Sequence, residues 1–226
     1  MGSADLEPII IHTRRKTIAL MITREGRLVV RAPLHTPRKK IDEIIAQKAS
    51  WIQAKQKAAR DRLAAVVPHH FSTGETFLYL GERYPLMWVE DARPLLALEG
   101  GRFHLSRAAQ NQIPAVFTAW YRAAARQVLA ERIAWYEVQM GLKAQHLKIS
   151  SARSRWGSCS SRGTLSFPWR LVMAPLAVVD YVVVHELAHL REPNHSARFW
   201  ACVESILPDY RVRLAWLKAN GHLLNL

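Results

Sequence analysis

Short apolar runs separated by polar residues open the chain. Ile9-Ile10-Ile11, then Ile18, Leu20 and Ile22, then Leu28-Val29-Val30 alternate with polar positions over residues 6–35, and Arg24-Glu25-Gly26-Arg27 has the composition of a hairpin turn. Period-two spacing of this kind predicts a β-meander. The period changes after Thr36-Pro37. Ile41, Ile44, Ile45, Trp51 and Ile52, with the stem of Lys48, form a helical stripe. It predicts one helix to about Ala65, with Thr36 as its cap and Pro37 in its first turn. A loop over 66–75 leads into short strands near 77–80, 84–90, 94–98 and 102–105. A long helical pattern then runs from Ile113 to Met140 and ends at Gly141, a residue suited to a C-terminal cap. Its aromatics, Phe117, Trp120, Tyr121, Trp135 and Tyr136, are spaced as core residues.

The second half reads as two strands, 147–150 and 164–167, flanking a turn-rich stretch from Ser151 to Gly163. The apolar run that follows is rich in valine, so propensity alone would make it a strand. It continues from Pro175 through Leu190, too long for an ordinary strand, and so predicts a buried helix that Pro193 stops. Helices follow over 195–207 and 209–220, with Asp209 as a cap and Gly221 past the end. The fold class is α+β. An N-terminal region of meander, helix and short strands, 1–110, precedes a core at 111–226, and the two are expected to form one continuous domain.

Inside the valine-rich helix lies His185-Glu186-Leu187-Ala188-His189, an H-E-x-x-H motif. Residues four apart share one helix face, so both imidazoles can reach a single metal ion, with Glu186 close enough to accept a proton from water at that metal. Catalytic zinc usually takes three protein ligands. His195 is the first candidate for the third, because His185-x3-His189-x5-His195 has metzincin spacing, although the turn lacks the metzincin glycine. Asn194 could supply the reversal in a left-handed conformation or as a cap. Glu204, on the next helix, is the alternative ligand. The remaining histidines show no such spacing.

Composition narrows the setting. Half the residues are hydrophobic and 22% charged, as in a globular protein. Cys159 and Cys202 form no C-x-x-C pair and read as packing residues, so a disulfide framework is not expected. The polar start, Met1 to Asp5, does not resemble a signal peptide, and the run from Leu171 to Val184 is too short to span a bilayer. The expected location is cytoplasmic, with no membrane partner. The net charge of +14 favours anionic partners, nucleic acid or nucleotides among them. Most of the basic residues on the first helix read as a solvated face. Arg153, Arg155, Arg162 and Arg170 stand close enough to the motif helix to line its cleft.

Four segments together resemble the YgjP-like metallopeptidases, a group similar to the SprT-like zincin proteases. They are Arg155-Trp156-Gly157-Ser158-Cys159, Leu165 to Leu171, His185 to His189, and Asn194 to Trp200. The resemblance is strongest over 145–225. It implies a zincin-like catalytic core with zinc on His185, His189 and His195, Glu186 as general base, and the 156–159 hairpin beside the cleft, where an edge strand would align an extended peptide. Some relatives are described as pyrophosphatases acting on UTP. Three functions are therefore carried forward: a zinc metallopeptidase acting on peptide or protein, a nucleotide hydrolase using the same metal site, and a nucleic-acid-associated zinc protein.

Overall fold

The three N-terminal strands do not form a meander. In the computed structural model, which describes residues 7–23, 25–65, 68–90 and 92–226, β1 (Ile9–Thr13), β2 (Ala19–Ile22) and β3 (Leu28–Pro33) pair in the order β1-β3-β2. The β2–β3 pair is antiparallel and β1 lies parallel to β3. The order agrees with burial: β3, at the centre, carries Leu28, Val30 and Ala32 on one face at 6, 0 and 0% exposure, the most buried face of the three strands. The turn expected at 24–27 does join β2 to β3, with Gly26 N–H donating to Thr23 O at 3.0 Å; Arg24 itself lies outside the described residues.

The single helix expected over 37–65 is two. α1 (Arg38–Gln47) and α2 (Ala49–Ala64) meet at Lys48, whose ψ of 13° departs from helical geometry. Between Ile45 and Ile52 only Trp51 is a large apolar residue, and it is 41% exposed, so no buried anchor holds the middle of the stripe straight. The break lets Ile52 join Leu28, Val30 and Ile41 in one cluster, while Gln56 donates to Gly26 O at 3.0 Å. Pro37, not Thr36, occupies the cap position.

These elements belong to the first of two compact units, Met1–Val67; the second is Pro68–Leu226. The expected 66–75 loop begins at Val66 and Val67, which lie outside the described residues. In the second unit β4 (Thr76–Tyr79), β5 (Glu82–Val89), β6 (Leu96–Glu99) and β7 (Arg102–Ser106) form a sheet of order β4-β5-β7-β6. Phe77, Leu86, Phe103 and Leu105 from this sheet share a core with α3 (Ile113–Met140). α3 ends as its sequence predicts, with Gly141 at φ 60°, a left-handed conformation in which a β-carbon would be strained. Phe117, Tyr121 and Tyr136 face the core, but Trp135 is 59% exposed and does not.

A smaller sheet carries the functional half. β8 (His146–Ser150) runs parallel to β10 (Thr164–Pro168), and β9 (Ser158–Cys159) is antiparallel at the edge, giving the order β8-β10-β9. A 3-10 turn at Trp169–Met173 leads to α4 (Leu176–Ala188), then α5 (Ala197–Ile206) and α6 (Tyr210–Asn220). α4 is the valine-rich run. Val178, Val179, Val182, Val183 and Val184 are all buried. Each costs a few tenths of a kcal/mol of helix propensity relative to alanine, whereas burying one contributes about 1.5 kcal/mol or more. Burial wins, and a helix buried along most of its length is the outcome. Asp209 precedes α6 but makes no capping bond; its carboxylate accepts from Arg213 at 2.9 Å instead.

Candidate metal centre

α4 delivers the motif at its C-terminal end. His185 and Glu186 sit in its last turn and His189 is the C-cap residue. The chain then turns tightly: Leu190 N–H bonds Leu187 O at 3.0 Å and Glu192 N–H bonds Ala188 O at 2.9 Å. Asn194 neither adopts a positive φ nor caps α5. Ser196 is the cap, its hydroxyl accepting from Phe199 N–H at 3.3 Å, and this leaves His195 just ahead of the new helix.

The reversal brings three imidazoles together. His185, His189 and His195 each offer a nitrogen within 4.8 Å of the others, a group that could hold a metal ion. The ring centroids of His185 lie 5.0 Å from those of His189 and 4.9 Å from those of His195, and His189 and His195 are 4.7 Å apart. Phe199, fully buried, packs against all three rings, and Trp200 stacks on His195.

The donor set fits a cation. His185 Nε2 and His195 Nε2 approach to 3.0 Å, so their lone pairs converge on one region unless a proton or a metal lies between them. His189 Nδ1 is 3.1 Å from Glu192 O, a bond that fixes the proton on Nδ1 and leaves Nε2 as the donor. Burial, reinforced by the two neighbouring histidines, pushes His185 down to about 4, and burial also lowers His189. Both are therefore neutral near pH 7, the form that ligates metal. Glu204, the alternative ligand, stands apart on α5 and pairs with Arg211 at 3.5 Å.

Glu186 is 5% exposed, and burial raises its carboxyl to about 7, with Arg155 acting in the opposite direction. The residue packed on it is Gly157. A β-carbon built there would lie 2.7 Å from Glu186 Cδ, and closer still to Oε1. The 155–157 backbone thus seats the carboxylate by direct contact, and only glycine leaves room for it. Trp156 is held in turn by Gly221, where an added β-carbon would meet the indole at 2.9 Å. Cys159 is also close: its thiol is raised by burial and by the charge of Glu186. Arg170 is buried with its guanidinium 3.9 Å over the Trp169 ring. Arg153 and Arg162 are exposed.

Tyr181 was legible only as part of the apolar run. It sits one turn before His185 with its ring 5.8 Å away, and burial, Tyr210 and Glu186 raise its hydroxyl to about 12. Its hydroxyl therefore keeps its proton near pH 7. Its four-residue spacing from His185 was the available signal.

The mixed α+β fold thus sets a three-histidine group that could hold a metal ion beside a buried carboxylate. The chain matches the family described as YgjP-like, metallopeptidase domain, over residues 16–220, and belongs to it. No match was found among curated proteins. Among solved structures it is similar to the metallopeptidase zymogen abylysin of Pyrococcus abyssi, at 21% identity and a TM-score of 0.38, covering 42% of this chain and 94% of that one. Among the described residues no helix is long and apolar enough to cross a membrane.

Proposed function

We propose that this chain is a zinc-dependent peptidase of the zincin type, with His185, His189 and His195 as metal ligands and Glu186 as general base. The observation that carries this reading is the convergence of three imidazole nitrogens beside one buried carboxylate. Neutral nitrogen ligands in a three-residue set with an open position suit zinc. The metal, when bound, supplies a Lewis acid that polarises the scissile carbonyl and lowers the pKa of water toward neutrality. Glu186 accepts the proton at its carboxylate and returns it to the leaving amine. Gly157 holds that carboxylate in place. β9 lies at the sheet edge with its outer side unpaired among the described residues, which favours an extended peptide added as a further strand.

The test is metal stoichiometry together with cleavage of an unfolded protein. One zinc per chain is expected, lost on His195→Ala, with cleavage removed by chelation and restored by zinc. A Glu204→Ala variant that loses the metal while His195→Ala keeps it would overturn the ligand set. A nucleotide reading draws on one observation, that the positive charge of Arg155 reaches Glu186. It requires pyrophosphate release from UTP that is lost on Arg155→Gln.

A further inference from the structure

The excess positive charge is concentrated in the first 67 residues, which hold 14 of the 32 Lys and Arg but only six of the 18 Asp and Glu. Within that unit a cavity of about 870 Å³ opens between the 13–18 connection and the segment that leads from β3 into α1. Arg14, Arg15, Lys16, His35 and Lys40 line it, and no Asp or Glu does. Ile18, Leu34 and Ile44 add an apolar wall. The volume falls in the range of small-molecule sites, roughly 300–1,000 Å³.

Two features are out of keeping with a plain solvated surface. Arg15 Nε is buried and has no hydrogen-bond partner among the described residues, while Nη2 of the same guanidinium reaches Thr17 Oγ1 at only 3.4 Å. In addition, α1 begins with Arg38-Lys39-Lys40, has no acidic residue in its first turn, and receives no capping bond from Pro37. Cations there oppose the helix dipole, and although Lys40 N–H reaches Pro37 O at 3.1 Å, no side chain caps the turn. Arg38 is offset by Asp42 at 2.9 Å; Lys40, in the cavity lining, forms no ion pair among the described residues. An anion in the cavity would answer the unpartnered Arg15 Nε, the clustered cations and the helix start without a side-chain cap together.

We propose that this cavity binds a small phosphate monoester with an apolar or planar body. The absence of acidic lining residues beside four permanent cations favours a dianion over a single carboxylate, and the arginine forks match phosphate oxygens. The apolar wall favours an organic group over inorganic phosphate. The site lies wholly in the first unit and does not depend on the peptidase reading.

The experiment is calorimetric titration of the full chain with phenyl phosphate, inorganic phosphate and a single-stranded oligonucleotide lacking terminal phosphates. Phenyl phosphate is expected to bind several-fold more tightly than inorganic phosphate. Arg15→Gln with Lys40→Gln should weaken it at least tenfold, while Lys57→Gln with Arg62→Gln, the same charge change on α2, should leave it within twofold. Should Arg15→Gln unfold the unit, the exposed Lys40→Gln alone carries the comparison, with a threefold loss expected. Undiminished binding in the cavity variants, equal loss in the α2 control, or binding of the oligonucleotide without phenyl phosphate would each overturn the proposal.

Discussion

Gly157 and Glu186 lie 29 positions apart, yet the contact between them sets the geometry of the proposed base. Gly157→Ala would force the carboxylate to move, and a displacement of about 1 Å at a reacting group can cost roughly 100-fold in rate. The expectation is a fall in kcat of that order with zinc content unchanged, checked by steady-state kinetics beside metal analysis. An alanine variant with full kcat would show that the carboxylate position does not matter. The pH dependence has a definite sign. Glu186 acts as a base only when deprotonated, so activity should be present above its pKa and lost below it. Burial raises that pKa from 4.5 to about 7; a bound dication works against burial. The acidic limb of kcat/KM should therefore fall between these two values, and a flat profile across that window would exclude Glu186 as the titrating base. The motif itself was visible in the sequence because its spacing lies within one helix. The Gly157 contact was not, because packing between elements leaves no periodic trace. Tyr181 was hidden for another reason, since a buried tyrosine among valines looks like core.

At the level of elements, α4 is the part on which the site depends. Arg132 of α3 grips Asp180 of α4 through two bonds, Nε to Oδ1 at 2.6 Å and Nη2 to Oδ2 at 3.1 Å. Asp180 is 7% exposed, so removing its partner strands a nearly buried charge. Arg132→Ala should cost about 3 kcal/mol, the low end for a broken buried pair because the arginine is partly exposed. Urea unfolding measures it, and a loss below about 1 kcal/mol would mean the pair is effectively solvated. Ser196→Ala, which removes the α5 cap that follows His195, should cost about 1 kcal/mol and weaken zinc binding with it, as a competition titration would show. Unchanged affinity would mean that the Phe199 packing alone orients His195. α3 was legible to the residue, because a long uninterrupted helical pattern ends at a glycine suited to its cap. The order β1-β3-β2 was not, because alternation identifies a strand but not its neighbours. The break at Lys48 was missed because neither proline nor glycine marks it.

Across the whole molecule, charge and chemistry divide between the two units. The first carries more than half of the net positive charge, and the second carries the histidine cluster and the H-E-x-x-H helix. The charge excess was plain from composition; its concentration around one cavity required the fold, because β1 pairing with β3 is what brings residues 13–18 beside 33–44. The most direct test of the account is hydrolysis of an unfolded protein by zinc-loaded wild type and Glu186→Gln, with metal content measured on the same samples. Equal zinc is expected in both, with a loss of cleavage of roughly 10²- to 10⁴-fold in the variant, the usual contribution of a positioned acid–base group. Cleavage that persists at the wild-type rate in a variant that retains its zinc would contradict it.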